Sequence, residues 1–129
     1  MRRRAGREDG SAVVELALLL PVVFLVLLAA VQVGLLARDQ LVLTQAARAG
    51  AREAAVSLDE GQVRAAILAA APGLDGGGIG LEVSREGGQG DPVQVTLAYE
   101  VAIAGPLAGW LLPGSVELRA SATMRQEVE

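Results

Sequence analysis

The chain is a short polypeptide of 129 residues, long enough for one small domain, and 52% of its residues are hydrophobic. It contains neither cysteine nor histidine, which excludes disulfides, thiolate metal sites and histidine acid–base chemistry. With one Trp, one Tyr, one Phe and a net charge of −4, neither base stacking nor nucleic-acid binding is expected.

An uncharged run of 22 residues, 16–37, lies near the amino terminus. At ~1.5 Å per residue, a helix of this length measures ~33 Å, enough to cross a hydrocarbon core of about 30 Å. Secretory signal peptides have a shorter apolar region, of about 7–15 residues. We therefore predict a retained transmembrane helix over residues 11–37.

The charges that flank this run predict its orientation. The leader, residues 1–10, carries four arginines, whereas Arg38 alone lies close on the other side. The positive-inside rule then places the leader in the cytoplasm. Residues 38–129 contain twelve acids against seven arginines, which suits an exported domain kept soluble by charge.

Glu15 lies at the mouth of the apolar run, where burial of a carboxylate is costly. One interpretation places it among the lipid headgroups, where the helix dipole favours a negative charge. The other notes that Gly10 follows a basic leader and precedes Glu15 by five residues, which resembles the processing site of type IV prepilins. In those proteins a membrane peptidase cuts after the glycine. Cleavage between Gly10 and Ser11 would free a cationic amine, which is cheaper to bury when it pairs with Glu15 of a neighbouring subunit.

Three stretches resemble TadE-like proteins of the tight-adherence (Tad, or Flp) pilus system. They are GSAVVELAL at 10–18 followed by Pro21, QAARAGAREAA at 45–55, and ASATMR at 120–125. The resemblance implies a non-catalytic, pilin-like (pseudopilin) assembly component in the bacterial cytoplasmic (inner) membrane. It implies as partners other pilin-like subunits, the Tad assembly machinery and a prepilin peptidase acting at Gly10 and Ser11. Glu15 and Pro21 would serve assembly.

Within the apolar run, two further features concern the shape and packing of the helix. Pro21 cannot donate a hydrogen bond to Ala17, so the helix should bend there, either as an ordinary kink or as an assembly feature. Ala30 and Gly34 form a small-xxx-small pair, which is a candidate for close helix packing.

Beyond the run, no strong breaker precedes Val56, so we predict that residues 38–56 continue the helix outside the membrane. This part is rich in alanine and carries a polar stripe that includes Arg48 and Arg52. A solvated face is the default explanation of the stripe, and a docking surface for an acidic partner is the alternative.

A second helix is predicted over about 59–71. Ser57 stands three residues before Glu60, which is the spacing of a capping box. Its buried side should carry three apolar residues. They are Val63, Ile67 and Leu68.

Three segments beyond this helix alternate apolar and polar residues, which predicts strands with one buried face. Gly87 to Pro92 connects the first two as an antiparallel hairpin. The second connection, 104–114, has four large apolar residues: Leu107, Trp110, Leu111 and Leu112. They either cap the open end of the sheet or bind a partner, and the cap is favoured because apolar loops more often fold back.

Together these elements predict a pilin-like α+β protein. It has a long amino-terminal transmembrane helix, a second short helix and a three-stranded antiparallel sheet packed on the long helix, with residues 57–129 as a small exported domain. No spacing suggests a nucleophile–base pair or metal cluster, so we expect no enzyme activity, metal, cofactor or small-molecule substrate. The predicted function is pilus assembly through the amino-terminal helix. The alternative is an ordinary single-pass anchor carrying a small extracytoplasmic binding domain, with Gly10 and Glu15 incidental.

Overall fold

Two helices precede a three-stranded sheet. The computed structural model describes residues 5–103, 105, 109–110 and 112–128. The elements are α1 (Ala5–Val56), α2 (Glu60–Ala70), a 3-10 turn (Gly76–Gly78), β1 (Ile79–Arg85), β2 (Pro92–Ala102) and β3 (Ser115–Arg125). The chain divides into two compact units, unit 1 (Met1–Gly34) and unit 2 (Leu35–Glu129).

The described part of unit 1 is the first part of α1. The helix continues through Pro21, and its end at Val56 is where the sequence predicts it. Proline has no backbone N–H, so the hydrogen bond to Ala17 is missing even though the helix goes on. The bend expected at this point stays a prediction.

Unit 2 contains the sheet, whose strand order is β1-β2-β3 with both pairings antiparallel. In the register, Leu97 at the centre of β2 lies opposite Leu81 on one side and Ala120 on the other. This confirms the predicted three-stranded antiparallel sheet. The connection of its first hairpin ends where β2 begins, at Pro92.

The core of unit 2 forms where the sheet packs on the outer part of α1. Gly50 of α1 faces β2 so closely that an added Cβ would lie 3.3 Å from Val95 Cγ1. The alternation of β2 has its physical basis here, because the apolar residues face α1 and the polar ones face outward. The fully buried side chains include Leu43, Ala46, Ala47, Ala51 and Ala54 of α1, Val63 of α2, and Val93, Val95 and Leu97 of β2. The predicted packing of the sheet on the long helix is therefore confirmed.

Two details of α2 differ from the prediction. Its N-cap is Asp59, whose Oδ1 accepts a hydrogen bond from the Gly61 N–H at 2.8 Å, while Ser57 Oγ accepts from the Asp59 N–H instead. Leu68 is 41% exposed and is not part of the buried side with Val63 and Ile67. It covers the glycine turn, because an added Cβ on Gly76 would lie 2.6 Å from Leu68 Cδ2.

The connection between β2 and β3 does not place Trp110 over the sheet. Trp110 is 73% exposed, so the favoured cap is wrong for this side chain, and Leu112 is half-buried. A tight turn, in which the Gly109 N–H donates to the Leu112 carbonyl at 2.9 Å, presents the indole outward. Leu107 and Leu111 lie outside the described residues.

The carboxyl end of α1 has no basic residue in its last turn, yet its final carbonyls accept hydrogen bonds from distant parts of unit 2. Arg85 at the end of β1 donates through Nη1 to the Ala54 carbonyl at 2.7 Å and through Nη2 to the Ser57 carbonyl at 3.1 Å. The Glu127 N–H donates to the Ala55 carbonyl at 2.7 Å. A cation from β1 therefore stabilises the negative end of the helix dipole.

An Arg85→Met variant should unfold more easily, because it keeps most of the aliphatic stem but loses both hydrogen bonds from a charged donor. We expect a loss of about 2 kcal/mol in the free energy of unfolding, the usual value for such bonds. The measurement is urea unfolding of the full chain in detergent, followed by circular dichroism. Arg125→Met, at an exposed arginine ending β3, is the matched control. Equal midpoints for the two variants would contradict the capping role.

Candidate functional site

One helix among the described residues is long and apolar enough to cross a membrane, by length and composition. It is the Gly10–Val56 part of α1, whose most apolar 18-residue stretch has a mean hydropathy of 2.8 and no buried fraction within the chain. A helix that is apolar on all sides needs an apolar environment all round. The large side chains it exposes include Val13, Val14, Leu16, Leu18, Leu19, Leu20, Val22, Val23, Phe24, Val26, Leu27, Val31 and Val33.

This exposed surface exceeds what a soluble monomer tolerates, since contiguous apolar patches on such proteins rarely exceed a few hundred Å². Lipid or other apolar helices must cover it. The arrangement is consistent with a single-pass membrane anchor.

The predicted processing junction lies inside α1, before the apolar run. Gly10, Ser11 and Glu15 are all exposed, and an added Cβ on Gly10 would meet nothing within 4 Å. Ser11 and Glu15 are four residues apart in a helix, so their side chains lie one turn apart on the same face. Among the side chains that the structure describes from residue 10 onward, no basic group lies within ion-pair distance of Glu15.

The other predicted positions in the apolar run lie around the helix rather than on one line. At ~100° per residue, Ala30 and Gly34 are rotated by about 60° and 100° from Glu15, and Pro21 by about 120° in the opposite direction. Ala30 and Gly34 are both exposed, and an added Cβ on Gly34 would meet nothing within 4 Å. Ala30 therefore lies nearest to the side of the helix that carries Glu15, whereas Gly34 and Pro21 lie away from that side in opposite directions.

Arg48 and Arg52 lie in unit 2, on the part of α1 that supports the sheet. Both side chains are exposed, whereas Ala47 and Ala51 in the same turns are fully buried. The arginines therefore point away from the core. Trp110, the third predicted partner residue, lies in the β2–β3 connection of the same unit.

The structure adds a polar contact that the sequence did not indicate. Gln40 of α1 donates through Nε2 to the Arg119 carbonyl of β3 at 2.8 Å, across 79 residues of chain. Its neighbours Arg38 and Asp39 form an ion pair at 3.9 Å. Within the described ranges, no group of three or more acidic side chains is arranged to hold a metal ion.

These features define the class of the protein as a pilin-like α+β arrangement on a long apolar amino-terminal helix. Residues 10–52 match the family model described as TadE-like protein. The predicted resemblance is thereby confirmed for the junction, the apolar run and most of the outer part of α1. The stretch 120–125 lies beyond the matched range. No curated protein sequence and no solved structure is significantly similar to the chain.

Proposed function

We propose that the protein is a non-catalytic, membrane-anchored component for assembly of a Tad/Flp-type pilus. The observation that carries the proposal is that one family match, residues 10–52, covers the Gly10–Glu15 junction together with the exposed apolar helix. A protein that is only anchored requires the apolar run but not a carboxylate at the amino-terminal end of that run. A helix that assembles with other helices can use the apolar run for packing and the carboxylate to pair with a cation of a neighbour.

In this proposal the apolar run lies in the bacterial cytoplasmic membrane, the basic leader is cytoplasmic and unit 2 is extracytoplasmic. Supporting it are the four arginines before the run and the net negative charge after Ala37. The partners are other pilin-like subunits and the Tad assembly machinery, with a prepilin peptidase acting before assembly.

Assembly would use Glu15 as the partner of a neighbouring subunit's amine. Cleavage after Gly10 makes Ser11 the first residue of the helix, where the new ammonium and the helix dipole concentrate positive charge. Each charge is costly to bury alone, and pairing between neighbouring helices removes much of that cost. The small pair Ala30 and Gly34 would let the helices approach closely.

Processing is tested by the intact mass of the protein extracted from its native membrane. We expect a chain that begins at Ser11, and a Gly10→Leu variant that accumulates with the leader attached. Gly10 is exposed and an added Cβ meets nothing within 4 Å, so the variant should fold normally.

The matched control is Gly6→Leu, the same change within the same leader but away from the junction, which should still be cut. A wild-type chain that retains its leader would contradict processing and favour the alternative, a plain membrane anchor carrying a binding domain. Equal processing of the two variants would show that Gly10 does not direct the cut.

A further inference from the structure

Within unit 2, β3 runs in the same direction as the outer part of α1. Near the beginning of this part of α1 and before the middle of β3, Gln40 Nε2 donates to the Arg119 carbonyl at 2.8 Å. Near the end of both, the Glu127 N–H donates to the Ala55 carbonyl at 2.7 Å. Since β2 is antiparallel to β3, the end of β2 at Ala102 and the start of β3 at Ser115 both lie at the end of unit 2 that contains Leu35.

The same contacts indicate how the start of β3 lies relative to the first residues of unit 2 along the helix direction. Ser115, the first residue of β3, precedes Arg119 by four residues, or ~14 Å at ~3.4 Å per residue. Leu35, the first residue of unit 2, precedes Gln40 by five helical residues, or only ~7.5 Å. Ser115 therefore lies at least at the level of Leu35. Residues 35–37 are the last of the uncharged run, so within unit 2 the start of β3 lies level with the end of that run.

The described residues of the connection form a base and a tip. The Ile103 N–H donates to the Gly114 carbonyl at 3.0 Å and closes the base. At the tip, Gly109 has a φ of +78°, which suits glycine, and the turn to Leu112 leaves Trp110 73% exposed. Trp110, the only tryptophan in the sequence, is thus an exposed, large apolar ring between the strand ends Ala102 and Ser115.

We infer that Trp110 inserts into the headgroup region of the same bilayer that holds the apolar run, as a second membrane contact of unit 2. Indole suits this region because its ring is apolar while its N–H donates to lipid carbonyl or phosphate oxygens. Exposed Arg38 and Arg119 are offset there by Asp39 and Glu117, so the contact does not require anionic lipid. The inference rests on the membrane anchorage in the proposed function.

The test uses the emission of this single tryptophan in the full chain, reconstituted in phosphatidylcholine vesicles. The lipid carries bromine either near the headgroup or near the bilayer centre, and iodide is the aqueous quencher. We expect a larger loss of Trp110 emission with shallow bromine than with deep bromine, and protection from iodide relative to the protein in detergent.

Two variants in a Trp110→Phe background carry the single tryptophan at reference positions. Leu58→Trp places the probe at an exposed site (55%) at the opposite end of unit 2, and iodide should quench it while bromolipid does not. Phe24→Trp places the probe in the apolar run, and deep bromine should quench it. Quenching of the Leu58→Trp probe by bromolipid would overturn the positional argument.

Failure of the inference is distinguishable from failure of the anchorage. If deep bromine quenches the Phe24→Trp probe while iodide quenches Trp110 freely, the anchorage stands and the second contact is overturned. If Trp110 is shielded from iodide yet insensitive to bromolipid, a protein covers it, and the inference is again overturned. If deep bromine fails to quench the Phe24→Trp probe, both the anchorage and the inference fall.

Discussion

A Glu15→Ala variant should insert into the membrane as well as the natural chain does, yet fail to co-assemble with other pilin-like subunits. Insertion is preserved because removing a charge at the mouth of an apolar helix lowers its transfer cost. Assembly is lost because the partner's ammonium would be buried without a counter-charge, a penalty of about 3–5 kcal/mol. The measurements are membrane fractionation, the recovery of pilin-like subunits with the tagged full chain, and the yield of pili sheared from cells.

Conservative variants separate charge from shape at this position. Glu15→Gln keeps the size and loses the charge, so it should fail as Glu15→Ala does, whereas Glu15→Asp keeps the carboxylate and should assemble in part. Asp39→Asn removes an acid at the other end of the apolar run, where Arg38 is its partner, and should assemble normally. Normal pilus yield from Glu15→Ala would refute the pairing role and leave the headgroup interpretation.

A Gly50→Val variant should destabilise unit 2 by about 3 kcal/mol, the upper part of the usual range for overpacking a core. Even a Cβ at this position would lie 2.6 Å from Ile67 Cγ1 and 2.8 Å from Ile67 Cδ1, and 3.3 Å from Val95 Cγ1. Such contacts force α2 or the sheet away from α1. At ~1.4 kcal/mol per tenfold, the protected amides of β2 should exchange about 100-fold faster in the full chain, as read by hydrogen–deuterium exchange.

Gly34→Val is the matched control, since an added Cβ on Gly34 meets nothing within 4 Å, and it should leave the β2 amides unchanged. Combining Gly50→Val with Ile67→Ala tests the cause. Each single change is destabilising. Ile67→Ala, however, removes the side-chain atoms that clash with the valine at position 50, so the double variant should be more stable than additivity predicts. Strict additivity would mean that Ile67 is not the residue that limits space at Gly50.

The fold was largely predictable because its signals are periodic and local. The uninterrupted apolar and alanine-rich stretch to Val56 predicted α1, and the alternation around Val93, Val95 and Leu97 predicted a half-buried strand. The N-cap of α2 was misplaced because Ser57 and Asp59 can both cap a helix, and only the backbone geometry decides between them. Leu68 was misassigned because helical spacing places it beside Ile67, although the glycine turn, rather than the core, lies against it.

The candidate site likewise has a part that the sequence predicted and a part that it did not. The Gly10–Glu15 junction is contiguous in the chain, so spacing alone predicted it. Arg85 and Gln40 act through contacts across 31 and 79 residues, and their own neighbours in the chain give no signal of these partners. The exposure of Trp110 likewise depends on the turn at Gly109, whereas the apolar composition of the connection favoured a cap.

The alanines that α1 buries against the sheet have a thermodynamic consequence for a unit this small. The five are Ala46, Ala47, Ala51, Ala54 and Ala55. Burying a leucine freezes side-chain rotations at a cost of about 0.5–1 kcal/mol, whereas burying an alanine freezes none. This face of α1 therefore loses no rotamer entropy at its alanines when unit 2 folds. Because methyl groups have no alternative rotamers, the alanine surface also has a single shape, so heating cannot loosen it by side-chain repacking.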